Sequence, residues 1–167
     1  GKAVITEKLS SIICDYGCGA LQCLLRTDFW SKKDLETGFN RREGAELVND
    51  IQKLAIENTR LGIPLMLMDD SRHGQQGIGT TMFPAGMALG STWNTDLLKR
   101  VGNVVGRELR SQGQTVSIGP HLNVARDPRW SRIEETYGED PYLVGELGAA
   151  YVTGLQDETS DGRVRAV

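Results

Sequence analysis

This 167-residue sequence lacks several features that would assign it to a specialised class of protein. No apolar run approaches the roughly 20 residues of a membrane helix, so we expect no membrane partner. No basic segment followed by an apolar stretch opens the chain, so no signal peptide is visible and the localisation stays open. The net charge is only −3, which argues against nucleic acid as a partner.

Cysteine is also scarce. The three cysteines, Cys14, Cys18 and Cys23, lie close together, but their spacing is not that of a zinc site and no histidine lies near them. An odd number also fits poorly with a set of disulfides. We therefore expect free thiols that pack as small apolar groups, and we predict no metal and no other cofactor.

The elements that are present alternate along the chain. Apolar periodicity predicts helices at 7–14, 41–60 and 95–112, and a proline near the first turn begins another at 141–155. Short apolar runs predict strands at 65–68, 115–118 and 163–167, with a strand or turn at 21–25. This order predicts an α/β fold with parallel strands and helical crossovers.

Two details of packing follow from the same patterns. The continuous apolar run at 65–68 predicts a strand that is buried on both faces. The methionines Met66, Met68, Met82 and Met87 are expected to fill the core.

Two charged segments, 69–73 and 121–132, begin where predicted strands end. Functional groups gather at the carboxyl ends of parallel strands, so we expect the two segments to converge at one rim. Asp69 and Asp70 are neighbours on a strand end, so they should point to opposite sides, one toward the rim and one away from it.

The segment 125–142 has an unusual density of charge, with three arginines and five carboxylates around Trp130. Arginine forks and carboxylates can hold a polyhydroxylated ligand through directed hydrogen bonds, and a tryptophan face can stack on a sugar ring. The alternative is an ion-pair network on the surface, with Trp130 packed under the loop.

Three blocks of this sequence resemble glycoside hydrolase family 3, the β-glucosidase and β-xylosidase group. They are GIPLMLMDDSRHGQQG at 62–77, TTMFPAGMALGSTWN at 80–94 and ARDPRWSRIEETYGEDPY at 125–142. The resemblance implies the first half of a TIM (β/α)₈ barrel, since a whole barrel usually takes about 250 residues. Residues 1–167 would then be an incomplete N-terminal portion of the barrel domain, with unpaired strand edges that could associate.

The resemblance also implies roles for individual residues. Asp70 corresponds to the acid that grips sugar hydroxyls, and Arg132 to the arginine that contacts the same sugar. Glu135 would orient Arg132, while His73 belongs to the motif without being the proton donor. We expect Arg126 and Arg129 to hold the loop through ion pairs.

Ser131 stands where the family usually has glycine, and it would be strained if the backbone needs a positive φ there.

The family resembled consists mainly of retaining β-glycosidases, in which one carboxylate attacks the sugar and another protonates the leaving oxygen. Both catalysts are expected beyond Val167, so we predict no catalytic residue in this chain and no activity for the chain alone. The expected substrate is a β-linked glucoside or oligosaccharide. One alternative is a non-catalytic sugar-binding module. Another is a phosphate-handling barrel, but the glycine-rich segment 74–79 lacks the lysine of a P-loop.

Overall fold

The computed structural model describes residues 4–157 and 166–167. Its centre is a parallel sheet of three strands in the order β1-β2-β3. The strands are β1 (Ala20–Gln22), β2 (Met66–Asp70) and β3 (Val116–Ile118). The helices are α1 (Glu7–Ser11), α2 (Arg41–Asn58), α3 (Gly86–Gly90), α4 (Thr95–Ser111) and α5 (Pro141–Leu155). The predicted α/β class with parallel strands and helical crossovers is confirmed.

The helices begin at residues whose side chains cap them. Asn40 and Glu43 form a reciprocal capping box at the start of α2, and Asn94 accepts a hydrogen bond from the backbone of α4. Asp140 caps α5 just before Pro141, so this helix begins and ends as predicted. The helix predicted at 7–14 is α-helical only through Ser11 and continues as a π-helical turn.

Two apolar clusters form the core. One lies between α2, β2 and the segments around β1; the other is formed mainly by α3, α4 and α5. Helices α4 and α5 approach closely because glycines lie at their contact. A methyl group at Gly102 would overlap the carbonyl oxygen of Tyr151, and one at Gly154 would overlap that of Lys99. Because α4 precedes β3 and α5 follows it, this close packing brings together the segments on either side of β3.

The helices cover only one face of the sheet within the described residues. Along β2, Leu67 and Asp69 are buried, whereas Met66 is 51% exposed. The prediction of a strand buried on both faces was therefore wrong. The predicted core role also fails for Met82 and Met87, which are exposed.

Most of the strand predicted at 163–167 lies outside the described residues. Its last residue, Val167, donates a backbone hydrogen bond to Thr115 at 2.9 Å and accepts one from Ser117 at 2.7 Å. These bonds extend the sheet beyond β3 in the parallel pattern. None of the helices in the described part of the chain is long and apolar enough to cross a membrane.

Candidate functional site

The two acids at the end of β2 have different environments. The side chain of Asp69 is fully buried and accepts hydrogen bonds from the Gln114 amide at 2.9 Å and from the backbone N–H of Asp70 at 2.8 Å. Burial raises the pKa of Asp69 in spite of these bonds. Asp70 lies on the opposite, less covered face of the strand, as the alternation of side chains predicts.

Asp70 is held between two arginines. Its Oδ2 atom lies 3.1 Å from Nη2 of Arg72 and 3.6 Å from Nη1 of Arg26. Its Oδ1 atom is enclosed but has no hydrogen-bond donor among the residues described. The carboxylate is therefore fixed through Oδ2, while Oδ1 has an unused capacity to accept a hydrogen bond.

Glu135 links Asp70 to Arg132 through Arg72. Arg132 donates from Nε to Oε2 of Glu135 at 2.7 Å, and its Nη2 atom lies 2.6 Å from the same oxygen. Arg72 donates to Oε1 of the same carboxylate, and Nδ1 of His121 lies 2.7 Å from Oε2. We call Asp70, Arg72, His121, Arg132 and Glu135 the rim cluster. It joins the loops that follow β2 and β3.

The charges of the rim cluster support one another. Burial opposes ionisation of Glu135, but the hydrogen bonds from Arg132 and Arg72 outweigh it, so the pKa of Glu135 lies below its ordinary value. About half of the Arg132 side chain stays exposed, so this guanidinium can also reach a ligand.

Short helices hold the loop that carries Glu135 and Arg132. Ile133–Glu135 forms a 3₁₀ turn, and α3 packs directly on its backbone. A methyl group at Gly86 would overlap the carbonyl oxygen of Glu135, and one at Gly90 would overlap that of Tyr137. Only glycine allows this approach, so α3 fixes the position of the loop.

The other residues singled out from the sequence lie apart from this arrangement or support it. Nδ1 of His73 makes a hydrogen bond with the carbonyl oxygen of Phe83 at 3.1 Å, which is a structural contact. Arg129 forms the expected ion pair, with its Nη2 atom 2.6 Å from Oδ2 of Asp127, whereas Arg126 forms no ion pair with the described residues. Trp130 is partly buried and lines a small cavity beside Arg126.

Ser131 is not among the non-glycine residues with positive φ, so it carries no strain of the kind expected at that position.

Two arginines and a tyrosine were missed by the reading of the sequence. Arg72 lies inside the block at 62–77. Its position in the sequence, between two segments that carry acids, could have identified it. Arg26 follows β1 in a loop without a motif. Tyr151 is fully buried in α5 and donates to the carbonyl oxygen of Ser71 at 2.7 Å, so it supports the backbone between Asp70 and Arg72.

Comparison with known proteins gives relatives of one kind. A β-xylosidase from Formosa agariphila is 40% identical over 117 residues, which are 66% of this chain and 16% of that protein. A periplasmic β-glucosidase/β-xylosidase from Dickeya chrysanthemi is 36% identical over 129 residues, covering 72% of this chain and 20% of that protein. The chain thus spans 15–20% of the length of the first curated relatives.

Solved structures agree with these relatives. An exo-1,3/1,4-β-glucanase from a Pseudoalteromonas species superposes with a TM-score of 0.77 at 28% identity, over 92% of this chain and 19% of that one. A β-glucosidase from Listeria innocua, solved with glucose and, as a mutant, with laminaribiose, gives 0.62 at 39% identity over 67% of this chain and 15% of that one. The neighbouring domains are TIM-barrel-like, so the parallel sheet described above is part of such a barrel.

The family model described as the glycosyl hydrolase family 3 N terminal domain matches residues 3–166, which is nearly the whole chain. The loops after β2 and β3, which meet in the rim cluster, lie within this match. The chain therefore belongs to glycoside hydrolase family 3, as part of its N-terminal domain.

Proposed function

We propose that this chain supplies part of the glycosyl-binding subsite of a retaining β-glycosidase that removes terminal β-linked sugars. The observation that carries the proposal is the rim cluster. It places an acid with an unused acceptor oxygen, Asp70, in one bonded network with a half-exposed guanidinium, Arg132. Arrays of charged donors and acceptors suit a ligand whose surface is mostly hydroxyl.

In this proposal each member of the rim cluster has a distinct role. Asp70 accepts hydrogen bonds from sugar hydroxyls, and Oδ1, which has no donor among the described residues, takes one of them. Arg132 donates to the same sugar from the part of its guanidinium that Glu135 leaves free. Glu135 fixes the aim of Arg132, and Arg72 sets the distance between the two acids. His73 supports the surrounding loop through its contact with Phe83, and neither His73 nor Arg126 contacts the sugar.

The covalent chemistry belongs elsewhere in the protein. Retaining glycosidases need a nucleophilic carboxylate and an acid/base about 5–5.5 Å apart. Asp70 and Glu135 are both engaged by arginines, which suits binding and positioning rather than attack or proton donation. We propose that segments outside this chain supply both catalysts, so the chain alone hydrolyses nothing.

The experiment compares the chain alone with the full-length protein that contains it. With nitrophenyl β-glucoside and β-xyloside, we expect turnover by the full-length protein and none by the chain. Asp70→Asn and Arg132→Lys in the full-length protein should each raise KM and lower kcat/KM by about tenfold or more, the loss of a charged hydrogen bond.

Three outcomes would contradict this proposal. Turnover by the chain alone that disappears in Arg132→Ala would place the catalysts inside it. Unchanged kinetics in both full-length variants would remove Asp70 and Arg132 from the site. Sugar binding without hydrolysis by the full-length protein would indicate a non-catalytic sugar-binding module.

A further inference from the structure

Four polar side chains are buried together on the face of β2 that points away from the rim cluster. The amides of Gln75, Gln112 and Gln114 join the carboxylate of Asp69, and each of the four residues is at most 2% exposed. We call these four residues the amide network. They come from β2, from the loop that follows it and from the turn between α4 and β3, so the network connects three segments that are separate in the sequence.

The hydrogen bonds of the amide network lead to the backbone of Asp70. The amide nitrogen of Gln75 donates to Oε1 of Gln112 at 2.9 Å and to Oε1 of Gln114 at 2.6 Å. Gln114 donates in turn to Oδ2 of Asp69 at 2.9 Å, and Oδ1 of Asp69 accepts from the backbone N–H of Asp70 at 2.8 Å. Both oxygens of the buried carboxylate are therefore used, one toward the amides and one toward the residue that we propose for sugar binding.

Asp70 lies where the sheet ends. The pairing of β1 with β2 stops at Gln22 and Met68, two residues before Asp70. Cys23 follows with a φ of 56°, so the chain turns away from β2 at that point. On the other edge, Asp70 and Ile118 form the last pair of β2 with β3. The bond to the Asp69 side chain thus holds the backbone of Asp70 at the position where support from the neighbouring strands ends.

The turn that carries Gln112 and Gln114 is itself fixed at the end of α4. The backbone N–H groups of both residues donate to the carbonyl oxygen of Leu109 at 3.1 Å. Gly113, between them, has a φ of 76°, and a methyl group there would overlap the side chain of Val48. The amide network therefore extends from a rigid helix end to Asp70.

The same helix holds the loop that follows Asp70. Oε2 of Glu108 in α4 accepts from the backbone N–H of Thr81 at 2.8 Å, and Oε1 accepts from the hydroxyl of Thr81 at 2.9 Å. Thr80 donates to the backbone oxygen of Gln75. The loop at 71–81 is thus tied to α4 at its end through Glu108 and in its middle through Gln75.

We propose that Asp69 and Gln114 are positioning residues for Asp70, which fix the backbone from which the Asp70 carboxylate reaches the sugar without touching the sugar themselves. Burial of a carboxylate and three amides costs desolvation free energy, and apolar side chains of similar volume often stabilise such a place equally well. Stability alone is therefore a poor reason for this network, whereas its bond to Asp70 supplies one. The inference rests on the proposed function, because it assigns a support to the same subsite.

The test compares two glutamine-to-methionine substitutions in the full-length protein, with nitrophenyl β-glucoside as substrate and glucose as inhibitor. Gln114→Met keeps the length of the side chain but removes the donor to Asp69. Gln52→Met is the matched control, because Gln52 makes two hydrogen bonds of 2.8 Å with the backbone of Leu65, at the opposite end of β2. Both substitutions should lower the urea midpoint of the chain.

Only Gln114→Met should weaken sugar binding. We expect it to raise KM and the glucose inhibition constant about fivefold with kcat within about twofold, since Asp70 holds the sugar before and during the reaction. Gln52→Met should leave both constants within about twofold of wild type. Asp69→Asn keeps one of the two acceptor oxygens, so it should raise KM by a smaller factor, and it tests the inference if Gln114→Met does not fold.

Three outcomes would overturn the inference. An equal rise of KM in Gln114→Met and Gln52→Met would show that the effect is one of stability alone. A wild-type KM in both Gln114→Met and Asp69→Asn, together with a raised KM in Asp70→Asn, would remove the positioning role and leave the proposed function intact. An unchanged KM in Asp70→Asn and Arg132→Lys would overturn the proposed function and this inference with it.

Discussion

Glu135→Gln tests the rim cluster most directly, because Glu135 is the point at which its contacts meet. The carboxylate accepts hydrogen bonds from Arg132 and Arg72 and contacts His121, with only 13% of its side chain exposed. Glutamine keeps the size of the side chain, but it carries no charge and presents an N–H₂ group where one oxygen had been. At least one arginine must then lose its acceptor.

The expected magnitude follows from the exposure of the partners. A hydrogen bond to a charged group contributes about 1.5–3 kcal/mol, and breaking a fully buried ion pair costs about 3–5 kcal/mol. Arg72 is 15% exposed and the remaining glutamine oxygen still accepts, so the larger range is an upper limit. We expect a loss of about 2 kcal/mol in the free energy of unfolding. Misplacement of Arg132 should raise KM for β-glycosides more than it lowers kcat.

The assays are urea unfolding of the chain and steady-state kinetics of the full-length protein. Glu134→Gln is the control, because Glu134 is adjacent and exposed and forms no ion pair within the described residues. The pKa of Glu135 is lowered by folding, so its stabilisation is present above the ordinary pKa and is lost as pH falls through the lowered value. The difference in free energy of unfolding between wild type and Glu135→Gln should therefore become smaller below about pH 4. Equal effects of the two substitutions at neutral pH would refute this reasoning.

Three further predictions concern residues that position the rim cluster. Gly86→Ala places a methyl group against the backbone oxygen of Glu135, so it should cost about 1–3 kcal/mol in urea unfolding and raise KM. Tyr151→Phe removes the hydrogen bond to the carbonyl of Ser71 and should cost about 1–3 kcal/mol in the same assay, since that carbonyl is left without its donor. Burial raises the pKa of Asp69, so the folded state holds a proton that the unfolded state has lost, and stability falls as pH rises between the ordinary and raised values. Across that pH interval, the urea midpoint of Asp69→Asn should therefore rise relative to the midpoint of wild type.

Each of these predictions has a control or an outcome that would contradict it. A methyl group at Gly145 in α5 meets no atom within 4 Å, so Gly145→Ala should be neutral or slightly stabilising. If Gly86→Ala were equally harmless, α3 would not fix the loop. A midpoint for Tyr151→Phe equal to that of wild type would show that Ser71 finds another donor. A difference between Asp69→Asn and wild type that is independent of pH would contradict the proton linkage.

Local sequence signals were sufficient for α2, α4 and α5 and for the convergence of the two charged segments, whereas the short helix α3 was not predicted. Asp140 and Pro141 define the start of α5 through capping and a fixed φ, both of which act within one turn. The ends of β2 and β3 come together because parallel strands present the same edge. Asp70 and Arg132 could therefore be expected at one rim before any contact was known, although their role in binding sugar remains a proposal.

Burial of the second sheet face could not be predicted in the same way, because it depends on what packs there. The apolar neighbours of Met66 in the sequence predict a core residue. Met66 is nevertheless half exposed, because the described helices pack on the face of the sheet that carries Leu67. Arg26 was missed for a related reason. Its contact with Asp70 depends on β1 pairing beside β2 in register, Ala20 with Met66, which no local pattern encodes.

The order of charges in the rim cluster explains why its acids are suited to binding. Asp70, Arg72, Glu135 and Arg132 alternate in sign along one chain of contacts, so each interior charge has neighbours of the opposite sign. An attacking carboxylate needs an uncommitted lone pair aimed at carbon, and a proton donor needs a raised pKa. Glu135 has a lowered pKa because burial is outweighed by its arginines. The arrangement therefore consists of two fixed anions and one directed guanidinium, which is what the proposed role in holding a sugar requires.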